Sequence, residues 1–223
     1  RRIAAYSKPQ YFQTLKLGFS TKDTPRIVYN GYDEGEYIVI PRGCYDELIS
    51  QLSGAGVLYD VVDKRQKGRK IDVHFNGALY PEQQVAAEKM LYNDIGVLAA
   101  ATAFGKTVLG AYLIAQKKVN ALVLVHNVEI MNNWIKDLNS FLTINEELPT
   151  YTTPKGRVKK RSSLIGTFSS QKDATTGIID IAMITSLGRE DNINELVRNY
   201  GMVIVDECHH AAAVTHENVL RAV

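Results

Sequence analysis

Four apolar runs constrain this chain more than any other feature. They cover residues 95–100 (Ile-Gly-Val-Leu-Ala-Ala), 121–126 (Ala-Leu-Val-Leu-Val-His), 178–184 (Ile-Ile-Asp-Ile-Ala-Met-Ile) and 202–205 (Met-Val-Ile-Val). A strand with one wet face alternates polar and apolar residues, whereas a strand buried on both faces does not. Between the runs lie stretches with apolar residues at helical spacing. Residues 81–91 carry Pro81 at the first helical position, 106–116 follow a Gly-Lys-Thr, and 129–141 hold the only tryptophan, Trp134. Buried strands alternating with helices predict an α/β fold, a parallel sheet covered by helices on both faces. Residues 143–176 are polar and rich in Gly, Ser, Thr and Lys, and read as a surface loop or short hairpin.

The first part of the chain has a different texture. Arg26-Ile-Val-Tyr and Glu36-Tyr-Ile-Val-Ile flank Asn30-Gly-Tyr-Asp-Glu-Gly, a hairpin signal. Residues 41–52 show helical spacing, and 57–62 read as a further strand. The division is therefore a small α/β module over 1–74 and a larger domain over 75–223. With 45% hydrophobic and 22% charged residues the composition is that of an ordinary soluble domain. No apolar run approaches the roughly 20 residues needed to cross a bilayer. Two cysteines, Cys44 and Cys208, make no disulfide framework, so an intracellular, cytoplasmic setting is expected. The net charge of +2 discriminates little, but 64–70 and 155–161 each hold five basic residues in seven, as nucleic-acid phosphate contacts or as solvated loops. The chain lacks an initiator Met, which reads as a piece of a longer protein.

Two motifs carry chemistry. Ala101-Thr102-Ala103-Phe104-Gly105-Lys106-Thr107 sits between an apolar run and a helical stretch. A phosphate cradle needs backbone N–H groups, a helix N-terminus, a lysine and a hydroxyl for Mg²⁺. Gly105 permits close backbone approach, Lys106 reaches the β- and γ-phosphates, and Thr107 ligates the metal. Thr102, Ala103 and Phe104 complete the loop. Ala100 and Ala103 stand where glycines are usual, and alanine at 103 fits only if that position keeps φ negative. The run 202–205 ends in Asp206 and Glu207. Asp206 holds Mg²⁺, and Glu207 orients and deprotonates the attacking water. Cys208, His209, His210 and His216 match no zinc spacing.

Asp206-Glu207-Cys208-His209 resembles a DEAH box. With 100–107 and the Gln83/Gln84 pair, residues 75–223 resemble the first RecA-like domain of a superfamily 2 helicase or translocase. The branch is the one with XPB-like helicases, UvsW-like helicases and restriction-enzyme motor (ResIII) subunits. Leu79-Tyr-Pro-Glu-Gln-Gln-Val-Ala86 resembles that branch's adenine-reading segment. The resemblance puts Gln83 on adenine, with Tyr80 in place of the family's arginine. His209 would couple nucleotide state to neighbouring motifs. His126 and Asn127, with Trp134, resemble one nucleic-acid-holding segment, and Thr185 and Ser186 the next. Residues 1–74 more weakly resemble the DNA-engaging module that precedes such motors.

The resemblance implies an ATP-dependent DNA helicase or translocase using ATP and Mg²⁺, with double-stranded DNA as partner and no obligatory oligomer, in DNA repair or restriction. The family's Ser/Thr-Ala-Thr and a second RecA-like domain with its arginine finger are expected after Val223. That finger is worth about 10³–10⁵ in rate, so the segment alone is expected to hydrolyse ATP weakly. Two alternatives stand beside this reading. One is a regulatory nucleic-acid-binding module with a degenerate ATPase, and the other a motor subunit of a restriction or defence system.

Overall fold

The computed structural model describes residues 2–22, 24–62, 66–189, 192–193, 195–208, 218–220 and 222. The chain forms two compact units, Arg1–Asp63 and Lys64–Val223. Ile71 and Val73, placed by sequence in the first module, lie in the core of the second unit.

The first unit is built from short elements. β1 (Ala5–Ser7) precedes α1 (Pro9–Lys16) and pairs antiparallel with β2 (Ile27–Tyr29). β3 (Tyr32–Glu34) and β4 (Tyr37–Val39) form a hairpin, and α2 (Tyr45–Gly54) follows. The hairpin differs from the one expected. Its turn is the Gly35-Glu36 pair, with Gly35 at φ +59°, so the first strand is 32–34 and the 26–29 run pairs with β1 instead. A two-residue turn with a left-handed glycine closes a hairpin locally. Residues 57–62 form no strand, and Leu58 is 98% exposed. Among the described residues of this unit, Ala4 alone is buried.

The second unit holds the sheet. β5 (Val73–Phe75) pairs with β7 (Leu142–Ile144). α3 (Pro81–Tyr92), α4 (Lys106–Lys117), β6 (Ala121–Val125) and α5 (Val128–Phe141) form where helical and strand patterns predict them. After β7 come a hairpin of β8 (Thr150–Thr152) and β9 (Val158–Lys160), then β10 (Ile165–Ser169) and β11 (Lys172–Asp173). β12 (Ile179–Met183), α6 (Ile184–Leu187), the pair β13 (Gly188–Arg189) and β14 (Asn192–Ile193), and β15 (Met202–Val205) complete it. The five-stranded order is β11-β10-β12-β6-β15, parallel except for β11.

Both faces are covered, which is why β6 reads apolar throughout. Its side chains alternate. Ala121, Val123 and Val125 join a core with Ala111 and Ile114 of α4 and Trp134 and Leu138 of α5. Leu122 and Leu124 join another with Ile184, Leu187, Val197, Tyr200 and Val219. No helix among the described residues is long and apolar enough to cross a membrane.

Two expectations need correction. The segment 143–176 is not only surface: β10 is an inner strand of the sheet, paired to β12 from Ile165↔Ile179 to Phe168↔Ala182. Its Ile-Gly-Thr-Phe-Ser sequence hides it, because Gly166 leaves room for a neighbour. A Cβ there would collide with the Asp180 carboxylate. Residues 95–100, expected as a buried strand, have no ladder, and Val97 is 78% exposed. Gly96, Ala99 and Ala100 give such a strand little side chain to pack.

The amino edge of the sheet is a polar network. Asp180 is fully buried and accepts from Thr176 N–H and Oγ1–H, Gly177 N–H and Tyr200 O–H. Desolvation, followed by the Asp180 charge, pushes the Tyr200 phenol far above its ordinary value. Asn120, 3% exposed, accepts from Arg69 and Gly201 N–H and donates to the Gly177 and Asn199 carbonyls. Every polar atom of both side chains is thus engaged, as burial requires.

Candidate functional site

α4 starts at Lys106, and the residue before it, Gly105, stands at φ +81°, ψ +44°. Ala103 stands at φ +66°. These two left-handed residues curl 101–105 into a tight loop, with Phe104 N–H donating to the Ala101 carbonyl at 3.3 Å. Alanine was expected at 103 only with negative φ. It occupies the left-handed region instead, at a cost of roughly 1–2 kcal/mol. Thr102 is exposed on the turn, Phe104 packs with Leu79, Ala87 and Leu109, and Thr107 is half-buried one residue into α4.

Gln83 braces this loop from α3. It is 3% exposed. Its Oε1 accepts from Tyr80 N–H at 2.9 Å, capping α3, and its Nε2 donates to the Phe104 carbonyl at 2.7 Å. A Cβ on Gly105 would meet that Nε2 at 2.6 Å, so positive φ and close approach both require glycine there. Tyr80, 73% exposed, leaves its ring open to a stacking partner.

The acids arrive from the far end of the motif pair. Asp206 N–H donates to the Leu124 carbonyl at 2.9 Å, extending the sheet by one residue. Glu207 then turns at φ +51° and donates its N–H to Asp206 Oδ1 at 2.9 Å. The turn brings Glu207 Oε1 to 3.2 Å from Lys106 Nζ, with side-chain exposures of 32% and 38%. Asp206 Oδ2 accepts from Trp134 Nε1–H at 2.7 Å.

The parallel register sets the other candidates on the same carboxyl edge. His126 and Asn127 follow β6, and Asn127 Oδ1 caps α5 by accepting from Ile130 N–H at 2.8 Å. Asn127 Nδ2 lies 3.1 Å from His126 Nε2. Thr185 is exposed after β12, while Ser186 Oγ accepts from Ser170 N–H at 2.9 Å. His209, His210 and His216 lie outside the described residues, as do Lys64 and Arg65 of the first basic cluster. Arg69 of that cluster donates to Glu146 at 2.8 Å, and its guanidinium holds the Glu146 carboxyl below the usual range. The second basic cluster forms the turn and second strand of the β8–β9 hairpin, with Arg161 stacked 4.3 Å over the Tyr151 ring.

Trp134 departs from its expected place. Being 2% exposed, it cannot present its ring to a nucleic-acid strand. A buried indole N–H needs an acceptor, which Asp206 supplies. Gly110, a glycine inside α4, makes room for the ring: a Cβ there would meet Trp134 Cη2 at 2.5 Å.

The donor set is an ammonium, a hydroxyl and two carboxylates beside a helix start and a left-handed loop. Hard oxygen ligands of this kind suit Mg²⁺, and the helix start with its lysine suits phosphate. The residues present therefore fit a Mg²⁺-bound nucleoside triphosphate.

Known proteins similar to this chain include the following. Residues 76–223 match the family model of the type III restriction enzyme, res subunit. A protein of Acanthamoeba polyphaga mimivirus, named as an ATP-dependent RNA helicase, is 24% identical over 156 residues, covering 68% of this chain. The chain spans 27% of that relative's length. The crystal structure of the UvsW helicase from bacteriophage T4 superposes over 100% of this chain and 79% of that one, with a TM-score of 0.60 and 12% identity. The last match establishes the RecA-like helicase fold.

Proposed function

The chain belongs to the type III restriction enzyme res-subunit family, and from that premise we propose that it is part of an ATP-driven motor on double-stranded DNA. It is a superfamily 2 helicase-type ATPase domain. The observation that carries the finer reading is the 3.2 Å contact between Lys106 and Glu207, two residues 101 positions apart. It supports reading the two motifs as halves of one hydrolytic site.

Bound Mg²⁺-ATP would supply a phosphoryl group whose transfer needs positioning and charge neutralisation more than covalent help. Lys106 binds the β- and γ-phosphate oxygens in exchange for Glu207. A half-exposed ion pair is worth about 1 kcal/mol or less, so the exchange costs little. Glu207 then orients water and takes its proton. Thr107 and Asp206 hold the metal. Gln83 keeps the loop in shape through Phe104 and, with Tyr80, frames the base. His126, Asn127, Thr185 and Ser186 form the nucleic-acid edge, with His209 coupling it to nucleotide state. A second RecA-like domain would supply the remaining charge stabilisation. Residues 1–74 would engage DNA ahead of the motor. The restriction reading is favoured over a degenerate module by the family match and by intact Lys106, Thr107, Asp206 and Glu207.

ATP titration tests the site: Lys106→Ala should abolish binding, and equal affinity in wild type and variant overturns the assignment. Glu207→Gln should bind ATP normally yet stop turnover. The RNA-helicase name of the mimivirus relative supports a second target. Titrations with duplex DNA, single-stranded DNA and duplex RNA separate them, tightest duplex-DNA binding being the expected result.

A further inference from the structure

We propose that Trp134 is a positioning residue for the metal-binding carboxylate: its indole N–H fixes Asp206 and thereby sets Mg²⁺ affinity. The inference rests on the ATP-site reading above and adds a residue to it. Both oxygens of Asp206 are already directed, Oδ2 by Trp134 Nε1–H at 2.7 Å and Oδ1 by Glu207 N–H at 2.9 Å. Two donors on one carboxylate remove its rotational freedom and leave the remaining lone pairs aimed in fixed directions. Partners of this kind orient metal ligands and tune them.

The indole itself is held on two sides. It is 2% exposed in the core shared by α4, α5 and the sheet. Its ring lies over Gly110, where a Cβ would stand 2.5 Å from Cη2 and 3.0 Å from Cζ3. Gly110 is one helical turn after Lys106, so the same ring that holds Asp206 also rests on the helix that carries the phosphate-binding lysine. Trp134, 2% exposed, thus spans the two halves of the site from behind. α5, which bears it, begins just after Asn127.

The chain contains a single tryptophan, so biosynthetic replacement by benzothienyl-alanine acts at one position. That analogue keeps the bicyclic shape and substitutes sulfur for the N–H. The full chain carrying it is compared with wild type by Mn²⁺ paramagnetic resonance titration at saturating ADP, and by ADP affinity in EDTA. The expected result is about ten-fold weaker Mn²⁺ binding with metal-free ADP affinity unchanged. Trp134→Phe should match it, and Gly110→Ala, which pushes the ring, should weaken Mn²⁺ binding in the same direction. Asp206→Asn combined with the analogue should be no weaker than Asp206→Asn alone. Unchanged Mn²⁺ affinity overturns the proposal, as does a parallel loss of metal-free ADP affinity, which would mark a packing role. Failure of the ATP-site reading is distinct: wild type and Lys106→Ala would then bind ADP equally.

Discussion

The two edges of the parallel sheet use polar residues in opposite ways. At the amino edge, Asp180, Asn120, Thr176 and Tyr200 bond to one another and to backbone. These four side chains are all engaged within the protein. At the carboxyl edge, Lys106 and Glu207 are about one-third exposed and share one contact. Left-handed non-glycine residues, which are disfavoured, occur at both ends: Ala103 and Glu207 at the carboxyl edge, and Lys118 at φ +51° after α4, just before β6 begins at the amino edge. Polar groups at one end of the strands are buried and fully bonded, while the Lys106–Glu207 pair at the other end stays partly exposed.

Substitutions should separate the edges cleanly. The largest effect expected is from Asp180→Ala, which strands several buried donors at about 1–3 kcal/mol each. Urea unfolding should show a loss of at least about 3 kcal/mol, with ATP affinity of the folded protein unchanged. A matching fall in affinity would erase the distinction. Lys106→Ala should do the reverse, abolishing ATP binding while the urea midpoint stays put. Tyr200→Phe removes one donor from Asp180 and should cost roughly 1–2 kcal/mol. Its pH signature sharpens the point. The folded phenol's pKa is raised, so its contribution is complete below about pH 10, where the unfolded phenol ionises, and falls as pH rises further. The phenylalanine variant should lose that alkaline dependence. The smallest effect expected is from Ala103→Gly, which relieves the left-handed strain and should raise stability by about 1 kcal/mol or less.

Legibility in the sequence followed the same division. The strands 121–125 and 179–183 could be read because each is buried on both faces and so lacks alternation, and 202–205, half-buried at the end of the sheet, because all four of its residues are apolar. The 101–107 loop and the Asp206–Glu207 pair stood out by residue type and spacing, and the structure sets Lys106 and Glu207 3.2 Å apart. β10 could not be read, since Gly166 and Thr167 serve the neighbouring strand and the loop beside it rather than a hydrophobic pattern. Trp134 was placed by its neighbours in sequence with the nucleic-acid contacts. Its partner Asp206 lies 72 residues away, a distance that no local pattern spans. In the first unit, elements of three residues gave periodicity too little length to act on.

The crowding around Gly166 has a consequence for repair. A side chain at 166 and a carboxylate at 180 exclude each other, because the added carbon would occupy the place of Asp180 Oδ1. Removing the carboxylate does not reopen the position. The Ala174 carbonyl and the Thr176 N–H would still stand 2.7 and 2.8 Å from the new carbon. Damage from a side chain at 166 therefore cannot be undone by a second change at 180, since the obstruction is backbone as well as carboxylate.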